Sequence, residues 1–400
     1  MLLPACAARP TPARVNVADS GSADTTPLGT FERTLQLETT SETSANVSIG
    51  DLNSDGNPDL VLAKGRHWPL VDRVLFGDGR GHFPTAFDLG TASDRSYSGL
   101  LVDLDGDGDL DVVISNDKPD PKRTYLNDGT GHFVVGSTFG HPEWSTRNAS
   151  VADLNGDGHP DIVVANRSGR ARGTSYICLN DGHGHFPGDC LPFSEESSTT
   201  ITPADFNGDG KMDLAVPNRD GGQSFVYLHD AEATAVRFRK IPFGRDDATI
   251  REAQAADLDG DGALDLVAID EQRGVTLYFG DGSGAFSTGT PLDDGTATPY
   301  ALALGDLNGD GRVDVIVGHV EAPTTIHFND GSGRHFRAVT VGDGRGTVYG
   351  FAIGDLDGDG LADLAAARSQ APNMVYFGAR NPASRVSPPS RPASSRPTPP

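Results

Sequence analysis

Cysteine, methionine and tryptophan are scarce in this sequence, with three, three and two among 400 residues. Three cysteines cannot supply the framework of a small disulfide-stapled scaffold, so a core has to come from the 36% of residues that are hydrophobic. No apolar run approaches the ~20 residues needed to cross a bilayer, which excludes a membrane-spanning helix. Basic residues are also few. Thirty-two lysines and arginines stand against 56 aspartates and glutamates, a net charge of −24, and a surface of that sign offers no general attraction to nucleic acid or anionic membrane. Catalytic signatures are missing as well: there is no His-Glu-x-x-His zinc motif and no Gly-x-Ser-x-Gly elbow. The amino terminus lacks the charged start and apolar stretch of a secretory signal, although Leu3-Pro4-Ala5-Cys6 resembles a lipoprotein cleavage box that would place a lipid anchor on Cys6; otherwise it is a plain tail.

Glycine and proline are abundant, 50 and 27 residues, and they fall at fixed offsets inside a period. Seven units begin at Asp51, Asp103, Asp153, Asp205, Asp257, Asp306 and Asp355. Such a period outranks every local signal. In each unit a short apolar run enters the motif, as in Val47-Ser48-Ile49-Gly50, and another leaves it, as in Asp59-Leu60-Val61-Leu62-Ala63. A third, Arg73-Val74-Leu75-Phe76, ends in the glycine-rich turn from Gly77 to Gly81 before Phe83 opens a fourth. Four antiparallel strands make a propeller blade. The turn recurs from unit to unit with residues that accept the positive φ of tight hairpins; only the fourth unit, His229-Asp230-Ala231, departs, which predicts an irregular hairpin there.

The seventh unit runs into a polar tail without a fourth strand of its own. Residues Gly29 to Leu37 resemble the fourth strand of the other units and are expected to close the ring. The reading is therefore an all-β, seven-bladed β-propeller over residues 30–379, with four-stranded antiparallel blades and an amino-terminal closing strand. Residues 1–29 and the Pro/Ser/Arg-rich residues 380–400 are expected to be disordered tails.

Each unit carries Asp-x-(Asn/Asp)-x-Asp-Gly-x-x-Asp, hard oxygens at alternating positions with a glycine at the sixth for a sharp turn, as calcium requires. Counting positions one, three, five, seven and nine, the candidate metal residues are Asp51, Asn53, Asp55, Asn57 and Asp59; Asp103, Asp105, Asp107, Asp109 and Asp111; Asp153, Asn155, Asp157, His159 and Asp161; Asp205, Asn207, Asp209, Lys211 and Asp213; Asp257, Asp259, Asp261, Ala263 and Asp265; Asp306, Asn308, Asp310, Arg312 and Asp314; and Asp355, Asp357, Asp359, Leu361 and Asp363. Position seven offers only its carbonyl. A helix-loop-helix calcium loop needs a glutamate at position twelve. That position holds Leu62, Ile114, Val164, Val216, Ala268, Val317 and Ala366, at the head of an apolar strand, so the helical alternative is out. Up to seven calcium ions are expected, in a structural role, because no unit is singled out. The alternative is a set of solvated turn aspartates.

These units resemble the FG-GAP or VCBS repeats of integrin-alpha-like propellers. The resemblance implies calcium between the first and second strands of each blade on one face, and ligand-binding loops on the opposite face. It implies no single activity, since adhesion receptors, lectin-like binders and some polysaccharide lyases share the repeat.

The loops of that opposite face carry many arginines, with His67, Trp68 and Trp144, and predict a protein acidic on one side and basic on the other. Six residues before each motif stand Ala45, Tyr97, Arg147, Thr199, Arg251, Tyr300 and Tyr349, where seven inner strands would ring a channel mouth. Tyr97, Arg147, Arg251, Tyr300 and Tyr349, with Trp68 and Trp144, are the candidate ligand residues, suited to stacking on sugar rings and pairing with carboxylates. The alternative is packing between blades or the balancing of local acids. Cys178 and Cys190 flank one hairpin and can form a disulfide or remain two thiols. The expected role is a secreted or cell-surface, non-catalytic adhesion module for a saccharide or protein partner. A lyase acting on uronic acids and a structural module of a surface assembly are the alternatives.

Overall fold

The computed structural model describes residues 29–170, 172–230, 236–292 and 295–380; Cys6, both tails and most of the fourth-unit hairpin lie outside them. Strands are the only long elements, and they form seven four-stranded antiparallel sheets. In each sheet the strand that enters the aspartate motif is innermost and the one that leaves it is second. Blade one runs Ser44–Gly50, Asp59–Lys64, Arg73–Phe76 and Thr85–Asp88, from axis to rim. No helix among the described residues is long and apolar enough to cross a membrane.

The second strands read as continuous apolar runs because both faces are covered. Asp59–Lys64, Asp111–Asn116 and Asp161–Asn166 are buried along their whole length. Side chains from one blade meet those of the next, so the core consists of seven apolar clusters, one per blade interface. Between blades two and three, for example, Leu104 and Val113 pack with Val151, Ile162 and Val164.

Ring closure comes from the amino-terminal strand Thr34–Gln36, which pairs with Met374–Tyr376 as the fourth strand of blade seven. Beyond it, Thr30 and Ala379 exchange backbone hydrogen bonds of 2.9 and 2.8 Å. The buried Lys64 ammonium pairs with Glu38 and, at 2.9 Å, with Glu42, while Asn373 donates to Glu38 and to Ser44. Closure is thus both strand pairing and a buried polar knot. Cys178 and Cys190 are joined by a disulfide with Cα atoms 4.3 Å apart, tying the end of the third strand of blade three to the residue that precedes the fourth.

Candidate functional site

The aspartate loops owe their shape to their own amides. In blade two, Asp103 accepts from the N–H groups of Gly106 and Gly108 at 2.8 and 3.0 Å, Asp105 from Asp107 at 3.3 Å, and Asp107 from Asp109 at 2.9 Å. The sixth-position glycines turn the chain at φ between 82° and 96°, a region that costs other residues strain. Position nine does more than the motif suggested. Asp111 is fully buried and accepts from Leu104 at 2.9 Å, at the top of its own loop, and from Asn127 at 2.8 Å, on the third strand. Its equivalents Asp59, Asp161, Asp213, Asp265, Asp314 and Asp363 do the same. Burial, reinforced by the neighbouring aspartates, pushes these carboxyls up, to about 6 in Asp111 and about 7 in Asp314.

The donor set fits a hard divalent cation, unevenly around the ring. In blades two, five and seven three carboxylates converge, with ligand atoms within 4.8 Å of one another: Asp103, Asp105 and Asp111; Asp257, Asp259 and Asp265; Asp355, Asp357 and Asp359. Two of these loops have a cation leaning in, since Arg33 meets Asp357 at 2.6 Å and Arg334 meets Asp259 at 3.7 Å. In three of the four loops where position three is asparagine, its amide donates to the fifth-position carboxylate instead: Asn155 to Asp157 at 2.8 Å, Asn207 to Asp209 at 3.1 Å, Asn308 to Asp310 at 3.0 Å. Blade two is therefore the most complete cage.

The opposite end of the channel is built by an irregularity repeated in six blades. The register between first and second strands slips around Ala45, Tyr97, Arg147, Arg251, Tyr300 and Tyr349. Each is the extra residue of a β-bulge, a device that re-aims a side chain. Thr199, the equivalent in blade four, precedes a shorter inner strand, Thr202–Ala204. Ala45, Tyr97, Thr199, Arg251, Tyr300 and Tyr349 line one cavity of about 150 Å³ at the axis, together with Arg66, Arg219 and Glu252.

The aromatic and cationic groups interlock there. The Arg251 guanidinium lies 3.3 Å over the Tyr300 ring, Tyr300 meets Tyr349 edge to face at 4.8 Å, and Arg66 lies 3.7 Å over Tyr349 and 5.1 Å from Tyr97. Burial works against the charge of Arg66, but the Tyr300, Tyr349 and Tyr97 side chains outweigh it and hold the group up. It occupies the left-handed region at φ 53°, which is uncommon for a long side chain and is held by the adjacent loop. Burial alone would raise the Tyr300 phenol, but Arg251, Arg66 and Arg219 override it and hold it down to about 8. Glu252, recessed in the channel wall, has its carboxyl pushed up to about 7 by desolvation.

Not every candidate arrives at the mouth. Arg147 reaches the rim, 4.7 Å from the Tyr97 ring, but is paired with Asp117 at 2.6 Å. Trp68 is 70% exposed two residues beyond Arg66. Trp144 is stacked on Tyr176 at 3.8 Å and packs against the core between blades two and three, away from the mouth. The uniformly basic face read from the loops reduces to a local feature, because most arginines carry their own acid: Arg95 with Asp120, Arg123 with Asp94, Arg167 with Asp220, Arg273 with Asp270, Arg368 with Asp343. Lys122 is buried, donating to the carbonyls of His141 and Trp144. Arg66 and Arg219 were visible in the sequence only as loop cations; nothing in their spacing shows that they fold in over the channel.

Comparison with known proteins agrees with this geometry. The model of the FG-GAP-like repeat matches residues 51–114, 103–164, 153–216, 257–317 and 306–366, and that of the FG-GAP repeat matches 347–387. No curated protein matches the chain in sequence. Among solved structures, the chain is similar to BBS1N in complex with ARL6DN in two crystals. In the one soaked with mercury the TM-score is 0.58 at 12% identity, covering 89% of this chain and 98% of that one. In the one soaked with lead it is 0.59 at 13%, covering 88% and 97%. At such identity the likeness is one of fold.

Proposed function

The chain belongs to the FG-GAP repeat family, and from that premise we propose that it is a non-catalytic recognition module. It holds an anionic partner at the arginine–tyrosine mouth and is stiffened by calcium in the aspartate loops of the opposite face. The observation that carries this reading is the bulge repeated at one level in six inner strands, five of which turn their side chain into a common cavity instead of along the blade. Loops suited to calcium and a disulfide both favour an exported, oxidising setting.

A protein partner is the second reading, favoured by neighbours that are propellers crystallised with a protein and by the exposed Trp68 beside the mouth. The test is incubation of the full protein in millimolar calcium with neutral and acidic polysaccharides and with acidic and basic peptides, scoring retention and new chain ends together. Retention without new ends, lost in Tyr97→Ala and Tyr349→Ala, is the expected result. New unsaturated ends would replace the module with a lyase, and retention unchanged in both variants would move the site off the mouth.

A further inference from the structure

We infer that the channel mouth takes the carboxylate of an acidic sugar residue between Arg66, Arg219 and Arg251, with the sugar's hydroxyls reaching the polar ring beneath. This deepens the recognition reading and rests on it.

The charge count at the mouth points to an anion. Most other arginines of this face have a carboxylate to themselves, as Arg95 has Asp120 and Arg167 has Asp220, but Arg219 and Arg251 share a single oxygen, Oε1 of Glu271, at 2.6 and 3.4 Å. Arg66 is only 7% exposed, and among the described residues no carboxylate lies within ion-pair reach of it. Its neighbours are tyrosine faces. Only tyrosines balance this buried guanidinium, and a bound anion supplies the full counter-charge that the protein does not. The strain registers on Arg251, which is 5% exposed: burial first, then the Arg219 and Arg66 charges against the Tyr300 and Glu252 attractions, lower it to about 10. In a chain of net charge −24 this is a concentrated exception.

Shape and lining select a sugar over a peptide. The cavity of about 150 Å³ is roughly ten times what one water needs. Each inner strand is the axial edge of its sheet, but side chains of the neighbouring inner strand occupy that edge, Ser48 donating to the Gly99 carbonyl at 2.6 Å, Thr202 to that of Ala253 at 2.6 Å and Gln254 to that of Leu302 at 2.9 Å, which leaves a peptide little backbone to pair with. Instead the wall presents side-chain hydroxyls and amides, including Asn46, Ser98 and Asn148. Two of its hydroxyls, Oγ of Ser150 and Oγ1 of Thr200, are buried atoms with no partner in the protein. Unsatisfied hydroxyls of this kind are met by a polyhydroxylated ligand. At the rim the Trp68 ring is free to stack on the next sugar.

The test is calorimetric titration of the full protein, in calcium, with galacturonate and glucuronate, with galactose and glucose, and with a short peptide whose carboxyl terminus is free or amidated. The uronates should bind at least about tenfold more tightly than the neutral sugars, the effect of one charge-assisted contact. Arg219→Gln, and Arg66→Asn, chosen because asparagine tolerates positive φ, should each erase that margin while the melting temperature stays near that of the parent. Equal binding of charged and neutral sugars overturns the carboxylate assignment. Binding of the free-ended peptide without the uronates overturns the sugar. Retention of a partner by the mouth with no response to any carboxylate overturns this inference and leaves the recognition module standing.

Discussion

Asp72 is buried, accepting from the Lys64 amide at 2.7 Å and the Ser96 hydroxyl at 2.9 Å. Burial pushes its carboxyl up to about 7. A raised carboxyl stabilises the fold in its protonated form, so its contribution is full below about 4, where the unfolded chain is also protonated, and is lost as pH rises through about 7. Asp72→Asn, which keeps both hydrogen-bonding partners, should flatten the decline in melting temperature between pH 4 and 7 at saturating calcium; an unchanged slope would refute the assignment. At this scale the sequence was only partly legible. Counting six residues back from each motif reached the ring positions, because the repeat keeps them in step. The bulge that aims them was hidden, since it is a mismatch between two strands and not a property of either. Trp144 and Trp68 read alike in sequence, yet one is stacked on Tyr176 and the other is open to solvent.

The loop between first and second strands is the element on which calcium dependence turns. Calcium that binds the folded loops and scarcely the unfolded chain stabilises by linkage, so chelation should lower the melting temperature. Blade two should retain its ion longest, having Asp103, Asp105 and Asp111 converged with no arginine paired to the cluster among the described residues. Asn155→Asp should convert the blade-three loop to the same donor set and tighten its site, read as a gain in terbium luminescence against calcium competition; no gain would mean that position three is not a ligand. The motif made the oxygen donors legible from spacing alone. It could not show that the ninth aspartate also fastens loop to third strand, because that partner lies 15 to 19 residues away and is reached only through its backbone N–H. Nor could it reveal the asparagine at the head of three hairpins, Asn127, Asn180 and Asn329, whose amides cross to the Leu52, Leu104 and Leu258 carbonyls of the preceding blade.

For the molecule as a whole, stability is distributed over seven interfaces of similar make, and the ring is only as strong as its seam. The seam holds Leu35 and Leu37 against the cluster of blades one and seven, and Phe31 against that of blades six and seven. Deleting residues 1–37 should therefore lower and broaden the calorimetric transition, and a peptide of residues 29–37 supplied in trans should sharpen it again; a deletion that melts like the parent would show that the seam carries no load. The period announced this architecture, blade number and closing strand included, because each blade can bury its faces only against its neighbours. The seam has one more consequence. With Thr30 and Ala379 hydrogen-bonded to each other, the chain leaves the ring within one peptide's reach of where it entered. The fold is in effect a circle with a nick, so the nick can be moved: linking those two residues and opening any outer hairpin should give the same ring from a permuted gene. By the same token the ring can be spliced whole into a surface loop of another protein, which needs only a gap a few ångströms wide to receive it.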